Sequence, residues 1–215
     1  MIIHPVVQGS IEWQMLRVGI PTASKFDKII TAEKGTRSSS FERYAHHCIA
    51  ERMLGHPVEL GSTSFMQRGQ LIEEQARQFY EIFSDNVPTK VGGFISLDDM
   101  SAGASPDGFI GEDGLLEIKC PTPDIHVGYL LDARGIHYKQ QCQGQLWICE
   151  REWVDTVSYN PDLPSCVVRI QRDEKYISAL AAQVRDFNAY IRECLEQLAK
   201  RGYIGNADNP LIKVA

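Results

Sequence analysis

Residues 105–119 read SPDGFIGEDGLLEIK, and this stretch decides the fold that we expect. Two short apolar runs flank the turn GEDG, whose last residue, Gly114, suits the positive φ of a tight turn, so a β-hairpin is predicted. Because side chains alternate between the two faces of a strand, Glu117 and Lys119 are expected on the same face. Asp107 is expected to end the first strand of the hairpin and to lie beside Glu117. The hairpin would therefore gather two carboxylates and an ammonium group at one place.

This grouping predicts a metal-dependent hydrolytic site. Two neighbouring carboxylates repel each other unless a positive charge lies between them. Mg²⁺ prefers hard oxygen ligands and keeps part of its water shell, so it fits such a pair, with Mn²⁺ as the expected substitute. The predicted reaction is phosphodiester hydrolysis, with Lys119 holding or polarising the attacking water while the metal neutralises charge on the transition state. The alternative is a solvated hairpin with a surface salt bridge, which the spacing of Asp107, Glu117 and Lys119 alone does not exclude.

The hydrophobic pattern of the remaining sequence predicts helices that cover a sheet. Polar segments at Thr22–Ser24 and Ser39–Ser40 are typical of helix starts, and Gly55 is typical of a helix end. We expect one domain over 1–215 with a mixed α/β core. The remaining elements are predicted as a helix over 63–84, strands over 91–97, 101–110 and 115–120, a helix over 137–149, strands over 153–159 and 166–172, and a helix over 173–200.

Composition narrows the functional classes. The 215 residues are 43% hydrophobic, which is enough for a packed core, and the net charge of −6 counts mildly against a nucleic-acid enzyme without excluding one, because only the charge of the binding groove matters. No CxxC pair occurs among the six cysteines, so a zinc ribbon is not expected. Without a signal peptide or an apolar run of about 20 residues, we expect a cytoplasmic protein with reduced thiols and no membrane span.

Six segments, in order, resemble those of the lambda-type (YqaJ-like) phage alkaline exonucleases, which belong to the PD-(D/E)xK nuclease superfamily. One match would be weak, but six in order over almost the whole chain are specific. The resemblance implies an α/β fold with a PD-(D/E)xK restriction-endonuclease-like core, a mixed sheet flanked by helices. The segments are LRVGIPTAS at 16–24, GQLIEEQAR at 69–77, SPDG at 105–108, LEIKCP at 116–121, QCQ at 141–143 and RDEKY at 172–176.

The resemblance also implies roles in catalysis. Asp107, Glu117 and Glu73 would be the metal ligands, and Lys119 and Gln141 would complete the catalytic group. The sequence alone leaves simpler alternatives open for two of them. Glu73 has the spacing of an i,i+4 ion pair with Arg77 on a helix surface. Gln141 has the composition of a solvated helix face, together with its neighbours Gln140, Gln143 and Gln145.

The same resemblance implies residues that contact DNA. Arg17, Thr22, Ser24 and Ser105 would hold the 5′-phosphate of the strand being cut, since a guanidinium group offers a fork of donors and a helix start offers N–H groups. Met66 would be the wedge that splays the duplex end, although a methionine is more often a core residue. Arg17 could instead pair with Glu12, and Ser105 could be a turn hydroxyl. In the loop over 33–40, Lys34 and Arg37 are the candidates for further DNA contacts.

Taken together, the resemblance implies a 5′ to 3′ exonuclease that digests one strand of linear double-stranded DNA to mononucleotides and leaves a 3′ single strand. It further implies a ring-shaped homotrimer, a single-strand annealing protein as partner, and a recombination role in a phage or prophage. One alternative is an iron–sulfur nuclease, which would need four clustered cysteines. Another is a non-enzymatic module that binds DNA ends. The scattered cysteines and the intact acidic residues argue against these alternatives.

Overall fold

The computed structural model describes residues 1–58, 64–89, 93–132 and 138–203, with the backbone alone for 64–71. The elements follow the order strand, helices, strands, helices, strands, helix. They are β1 (Ile2–His4), α1 (Ile11–Leu16), a 3₁₀ helix (Ala23–Lys28), α2 (Phe41–Leu54), α3 (Ser64–Ser84), β2 (Phe94–Ser96), β3 (Gly103–Ala104), β4 (Gly108–Ile110), β5 (Gly114–Lys119), α4 (Pro123–Leu131), α5 (Lys139–Ile148), β6 (Trp153–Ser158), β7 (Cys166–Gln171) and α6 (Glu174–Lys200).

The described strands form two sheets. β1, β2 and β3 make a small antiparallel sheet, and β4, β5, β6 and β7 make a four-stranded mixed sheet in that order. β4 with β5 and β6 with β7 pair antiparallel, whereas β5 and β6 pair parallel. A parallel pair needs a long crossover, which here contains α4 and α5. This architecture confirms the predicted α/β fold with a mixed sheet flanked by helices.

The central strand β5 is covered on both faces. Leu115 belongs to the larger core, which also contains Phe26 and Phe187 from the helical side. Leu116 packs in a second core with Tyr80 of α3. A strand buried on both faces can carry charged groups only where other elements supply polar partners, and this requirement shapes the surroundings of Glu117.

One close helix contact on the α5 side depends on a glycine. At Gly144, an added Cβ would lie 2.4 Å from the Phe26 ring, so the lack of a side chain lets α5 approach the 3₁₀ helix. The same helix carries Gln141 and Gln145, which face β5. The tight packing therefore sets the distance between α5 and the acidic residues.

Several predicted elements are confirmed with small shifts. The helix predicted over 173–200 is α6, and the side chain of Asp173 caps it by accepting a hydrogen bond from the Tyr176 N–H. Gly55 ends α2 in the left-handed conformation, as expected. The last two predicted strands, 153–159 and 166–172, are β6 and β7. Predicted starts at 63, 91 and 137 lie outside the described residues.

Other local predictions were wrong. The strand predicted over 101–110 is divided between the two sheets as β3 and β4, because Pro106 has no N–H to donate to a ladder. Asp107 therefore precedes a strand and does not end one. Gly111, at φ 57°, takes the left-handed turn position that had been assigned to Gly114, which lies in β5. Ser40 precedes α2 without a capping side-chain bond.

Elements that had not been expected include β1, α1 and α4. The start predicted at Thr22 leads only to a 3₁₀ helix, and Thr22 makes no capping bond with its side chain. All six cysteines are free thiols, as predicted. Within the described residues, no helix is both long enough and apolar enough to cross a membrane.

Candidate active site

The hairpin of β4 and β5 brings Asp107 next to Glu117, as predicted. The N–H of Asp107 donates to the carbonyl oxygen of Leu116 at 3.0 Å, which continues the ladder of the hairpin by one residue. The Asp107 carboxylate oxygen Oδ2 accepts a hydrogen bond from the N–H of Ile118 at 2.6 Å. Both its main chain and its side chain are therefore held against β5.

Glu117 is a buried carboxylate with three side-chain donors. Only 4% of the residue is exposed. Oε1 accepts from Lys119 Nζ and from Gln141 Nε2, both at 2.6 Å. Oε2 accepts from Gln145 Nε2, also at 2.6 Å. One ammonium group and two amides thus compensate for the loss of water around this carboxylate.

Lys119 lies at the centre of this group. Its Nζ also donates to Gln141 Oε1 at 3.1 Å and lies 4.8 Å from the ring centre of Tyr138. Burial acts to lower the pKa of Lys119, but the charge and hydrogen bond of Glu117 outweigh it, so the pKa is raised. Lys119 is therefore an ammonium ion, able to donate protons in hydrogen bonds and to stabilise negative charge.

Helix α3 approaches the site from the other side of the sheet. Burial, followed by the negative charges of Glu117 and Glu73, raises the pKa of Asp107 well above its usual range. Arg77 Nη2 donates to the Asp107 carbonyl oxygen at 2.6 Å, and Arg77 is only 5% exposed. Arg77 is therefore buried against the hairpin and does not lie on a solvated helix surface.

The donor set fits a hard divalent cation. Asp107, Glu117 and Glu73 offer carboxylate oxygens, and their mutual repulsion is the feature that a cation would relieve. No preformed cluster of three or more metal-ligating side chains was found among the described residues. The residues that could hold a metal are thus these three carboxylates, brought together from α3 and from the hairpin.

The glutamines of α5 are not a solvated face. Gln143 and Gln145 are 2% and 1% exposed, so the alternative reading of this face as merely polar is wrong. Gln143 joins α5 to the β7 end of the sheet, where its amide donates to the Gln171 carbonyl and accepts from the Asp173 N–H. Gln145 was missed as a site residue, although its i,i+4 spacing from Gln141 places both on one helix face.

A second group of predicted residues meets around Trp13. The guanidinium carbon of Arg17 lies 3.8 Å from the Trp13 ring centre. The Trp13 indole N–H reaches both the hydroxyl oxygen of Ser105, at 3.0 Å, and the carbonyl oxygen of Gly93, at 2.6 Å. No sequence signal marked Trp13 as a site residue. It connects Arg17 to Ser105, which is two residues from Asp107.

Arg17 is a guanidinium group without a carboxylate partner within the described part of the chain. Burial lowers the pKa of Arg17, and Nε is buried without a hydrogen-bond partner. The expected alternative, an ion pair with Glu12, is not formed: the pKa of Glu12 is lowered by its own backbone and by Ser10. A cation without an ion pair, stacked on a ring that contacts the Ser105 hydroxyl, is suited to an anion.

The other residues predicted to contact DNA lie on three separate segments. The hydroxyls of Thr22 and Ser24 lie 3.3 Å apart at the start of the 3₁₀ helix, where Ser24 is exposed. In the loop over 33–40, Arg37 lies over the Phe41 ring at 4.1 Å, and Lys34 is exposed. Met66 is in α3, but its side chain lies outside the described residues.

The chain resembles known proteins in both sequence and fold. Residues 12–152 match the YqaJ-like viral recombinase domain. Among solved structures, the chain is 32% identical to LHK-Exo, an alkaline exonuclease from Laribacter hongkongensis, over 90% of this chain and 98% of that one, with a TM-score of 0.80. LHK-Exo in complex with dAMP gives the same identity and coverage, with a TM-score of 0.81.

A phage related exonuclease from Haemophilus somnus 129PT shares the fold, at 17% identity over 83% of this chain and 96% of that one, with a TM-score of 0.68. No curated protein sequence matches the chain. The family match covers more than half of the 215 residues. The chain therefore belongs to the YqaJ-like viral recombinase family and is a deoxyribonuclease of the lambda-type alkaline exonuclease group, with a PD-(D/E)xK-like fold.

Proposed function

We propose that this DNA exonuclease is Mg²⁺-dependent and digests one strand of linear double-stranded DNA from 5′ to 3′. The observation that carries the proposal is the cluster of Asp107, Glu117 and Lys119 on one hairpin, with Gln141 bridging the last two. The whole of 1–215 would act as a single exonuclease domain. The products would be mononucleotides and a 3′ single strand for recombination.

Each residue of the cluster has a distinct chemical task in this proposal. Asp107, Glu117 and Glu73 would hold Mg²⁺, with Mn²⁺ as a substitute. When bound, the ion supplies a Lewis acid for the attacking water and for charge on the leaving oxygen. Lys119 would orient the water and stabilise charge on the phosphorane, and Gln141 would keep the Lys119 ammonium directed into the site.

We expect Arg17, together with Trp13 and Ser105, to set the polarity of digestion. A terminal 5′-phosphate carries more negative charge than an internal phosphodiester, so an unpaired guanidinium group can distinguish the two. Ser105 would add a hydroxyl contact, and Ser24 with Thr22 would add contacts at the 3₁₀ helix. Because Ser105 and Asp107 are two residues apart, an anion held at Arg17 would define which bond reaches the carboxylates.

The proposal also covers the reaction product, the oligomeric state and the protein partner. A solved relative binds dAMP, a mononucleotide, and this agrees with release of single nucleotides. We further propose a homotrimeric ring around the DNA, a single-strand annealing protein that takes over the 3′ strand, and a phage or prophage origin. Met66 as the wedge at the duplex end belongs with these proposals.

A single digestion assay tests the core of the proposal. Linear duplexes labelled at either end, with a 5′-phosphate or a 5′-hydroxyl, are incubated with the protein and Mg²⁺ or with a chelator. We expect mononucleotides to appear from the 5′ label first, only with the divalent cation, and faster from the 5′-phosphate duplex. Loss of the 3′ label first would refute the polarity, and unchanged digestion with the chelator would refute the metal dependence.

A further inference from the structure

Gln145 makes a contact with the site that its neighbours do not duplicate. Its Nε2 donates to Glu117 Oε2 at 2.6 Å, whereas the donors on Oε1 are Lys119 and Gln141. Within the described part of the chain, Gln145 is the one side chain that donates to Oε2. Since Gln145 is 1% exposed, bulk water does not replace this donor.

The two glutamines act on the carboxylate as a fork. Gln141 and Gln145 lie one helical turn apart on α5, so both amides face the same strand. Each donates to a different oxygen of Glu117, and two donors on two oxygens fix the plane of a carboxylate as well as its position. A single donor would leave the group free to rotate about its last bond.

The Gln145 amide is also held in one orientation. Its Oε1 is buried without a hydrogen-bond partner within the described residues. Rotating the amide by half a turn would direct Oε1 at the negative Glu117 oxygen, which is repulsive. The unpaired oxygen is therefore the cost of keeping the N–H group on the carboxylate, and such a cost is typical of a group retained for a site.

We propose that Gln145 is a positioning residue that fixes the position and plane of the Glu117 carboxylate when Lys119 moves away from it. Lys119 cannot be both the counter-charge of Glu117 and a partner of the attacking water at full strength. With two amides on the carboxylate, Glu117 keeps a hydrogen-bond donor on each oxygen while the ammonium group turns to the substrate. This inference rests on the proposed metal and lysine roles, and adds a residue that neither requires.

The test replaces Gln145 with methionine, which has similar length and no donor. Mn²⁺ binding to the DNA-free protein is measured by titration calorimetry, and digestion by kcat and KM. Because loss of a partner that orients a metal ligand typically weakens metal affinity by about 10- to 100-fold, we expect that rise in the Mn²⁺ dissociation constant for Gln145→Met. We expect kcat to fall with KM for DNA nearly unchanged.

Gln143→Met is the matched control. Gln143 is a buried glutamine of the same helix, but its contacts run to Gln171 and Asp173. We expect this variant to have a lower melting temperature and the Mn²⁺ affinity of the wild type. A purely structural role for Gln145 would give the same pattern in Gln145→Met, and that result would overturn the inference.

A second variant covers the case in which Gln145→Met does not fold. Gln145→Asn keeps a polar amide but withdraws its donor from Glu117 by one methylene group. Wild-type Mn²⁺ affinity in a folded Gln145→Asn protein would overturn the inference. Failure of the proposed function has a different signature, since the wild-type protein itself would then neither bind Mn²⁺ nor digest DNA.

Discussion

The most informative perturbation is Arg17→Met, because it removes a charge and leaves a side chain that can still cover the Trp13 ring. Arg17 lies 3.8 Å from that ring centre and has no ion pair within the described residues. Its proposed role is to bind a terminal 5′-phosphate. The substitution should therefore change substrate discrimination much more than folding.

The magnitude follows from the type of contact that is lost. A hydrogen bond to a charged group contributes about 1.5–3 kcal/mol, which corresponds to roughly 10- to 150-fold in rate. Loss of the guanidinium stacking should lower stability by about 1–2 kcal/mol, since the stacked pair is largely buried. Trp13 keeps its bonds to Ser105 and Gly93, so the surrounding backbone has no reason to move.

The assay compares initial rates on one duplex with a 5′-phosphate and the same duplex with a 5′-hydroxyl. The wild type should digest the 5′-phosphate duplex faster than the 5′-hydroxyl duplex. In Arg17→Met, the ratio of these two rates should fall by about tenfold or more. Arg151→Met is the control, because Arg151 also lies over an aromatic ring, that of Phe109 at 4.5 Å, and has a buried Nε without a partner. If Arg17→Met slows both duplexes equally and keeps the ratio, the assignment of a 5′-phosphate pocket is wrong.

Three further outcomes are expected. Asp107→Asn and Glu117→Gln should each abolish cleavage and leave the circular dichroism spectrum unchanged. Both substitutions keep the shape of the side chain but remove the charge that would bind the metal. Normal turnover by either variant at saturating Mg²⁺ would contradict the site assignment. Lys119→Met should keep DNA and Mn²⁺ binding but lose most of kcat, whereas an unfolded variant would indicate a structural lysine. Gly144→Ala should lower the free energy of unfolding by about 1–3 kcal/mol, measured by urea denaturation, because its Cβ would lie 2.4 Å from the Phe26 ring.

Local sequence patterns predicted much of the fold. Side-chain alternation placed Glu117 and Lys119 on one face of β5, and the hydrophobic pattern identified the other long strands and the helices α3 and α6. The short elements β1, α1 and α4 were not predicted, because three to nine residues contain too few repeats of a hydrophobic pattern to be recognised. Pro106 was visible, but its effect, a change of sheet between β3 and β4, was not.

The sequence by itself determined which residues of the hairpin carry charge and that Asp107, Glu117 and Lys119 lie together, because a hairpin is a local structure with a fixed alternation. Only the tertiary structure decided that Trp13 connects Arg17 to Ser105, 92 residues away from Trp13 in the chain. It also decided that Gln145 is a buried donor to Glu117 and not a solvated group. The physical reason is that spacing fixes the face on which a side chain lies, whereas the long-range packing of α5 and α3 against β5 fixes what that face meets.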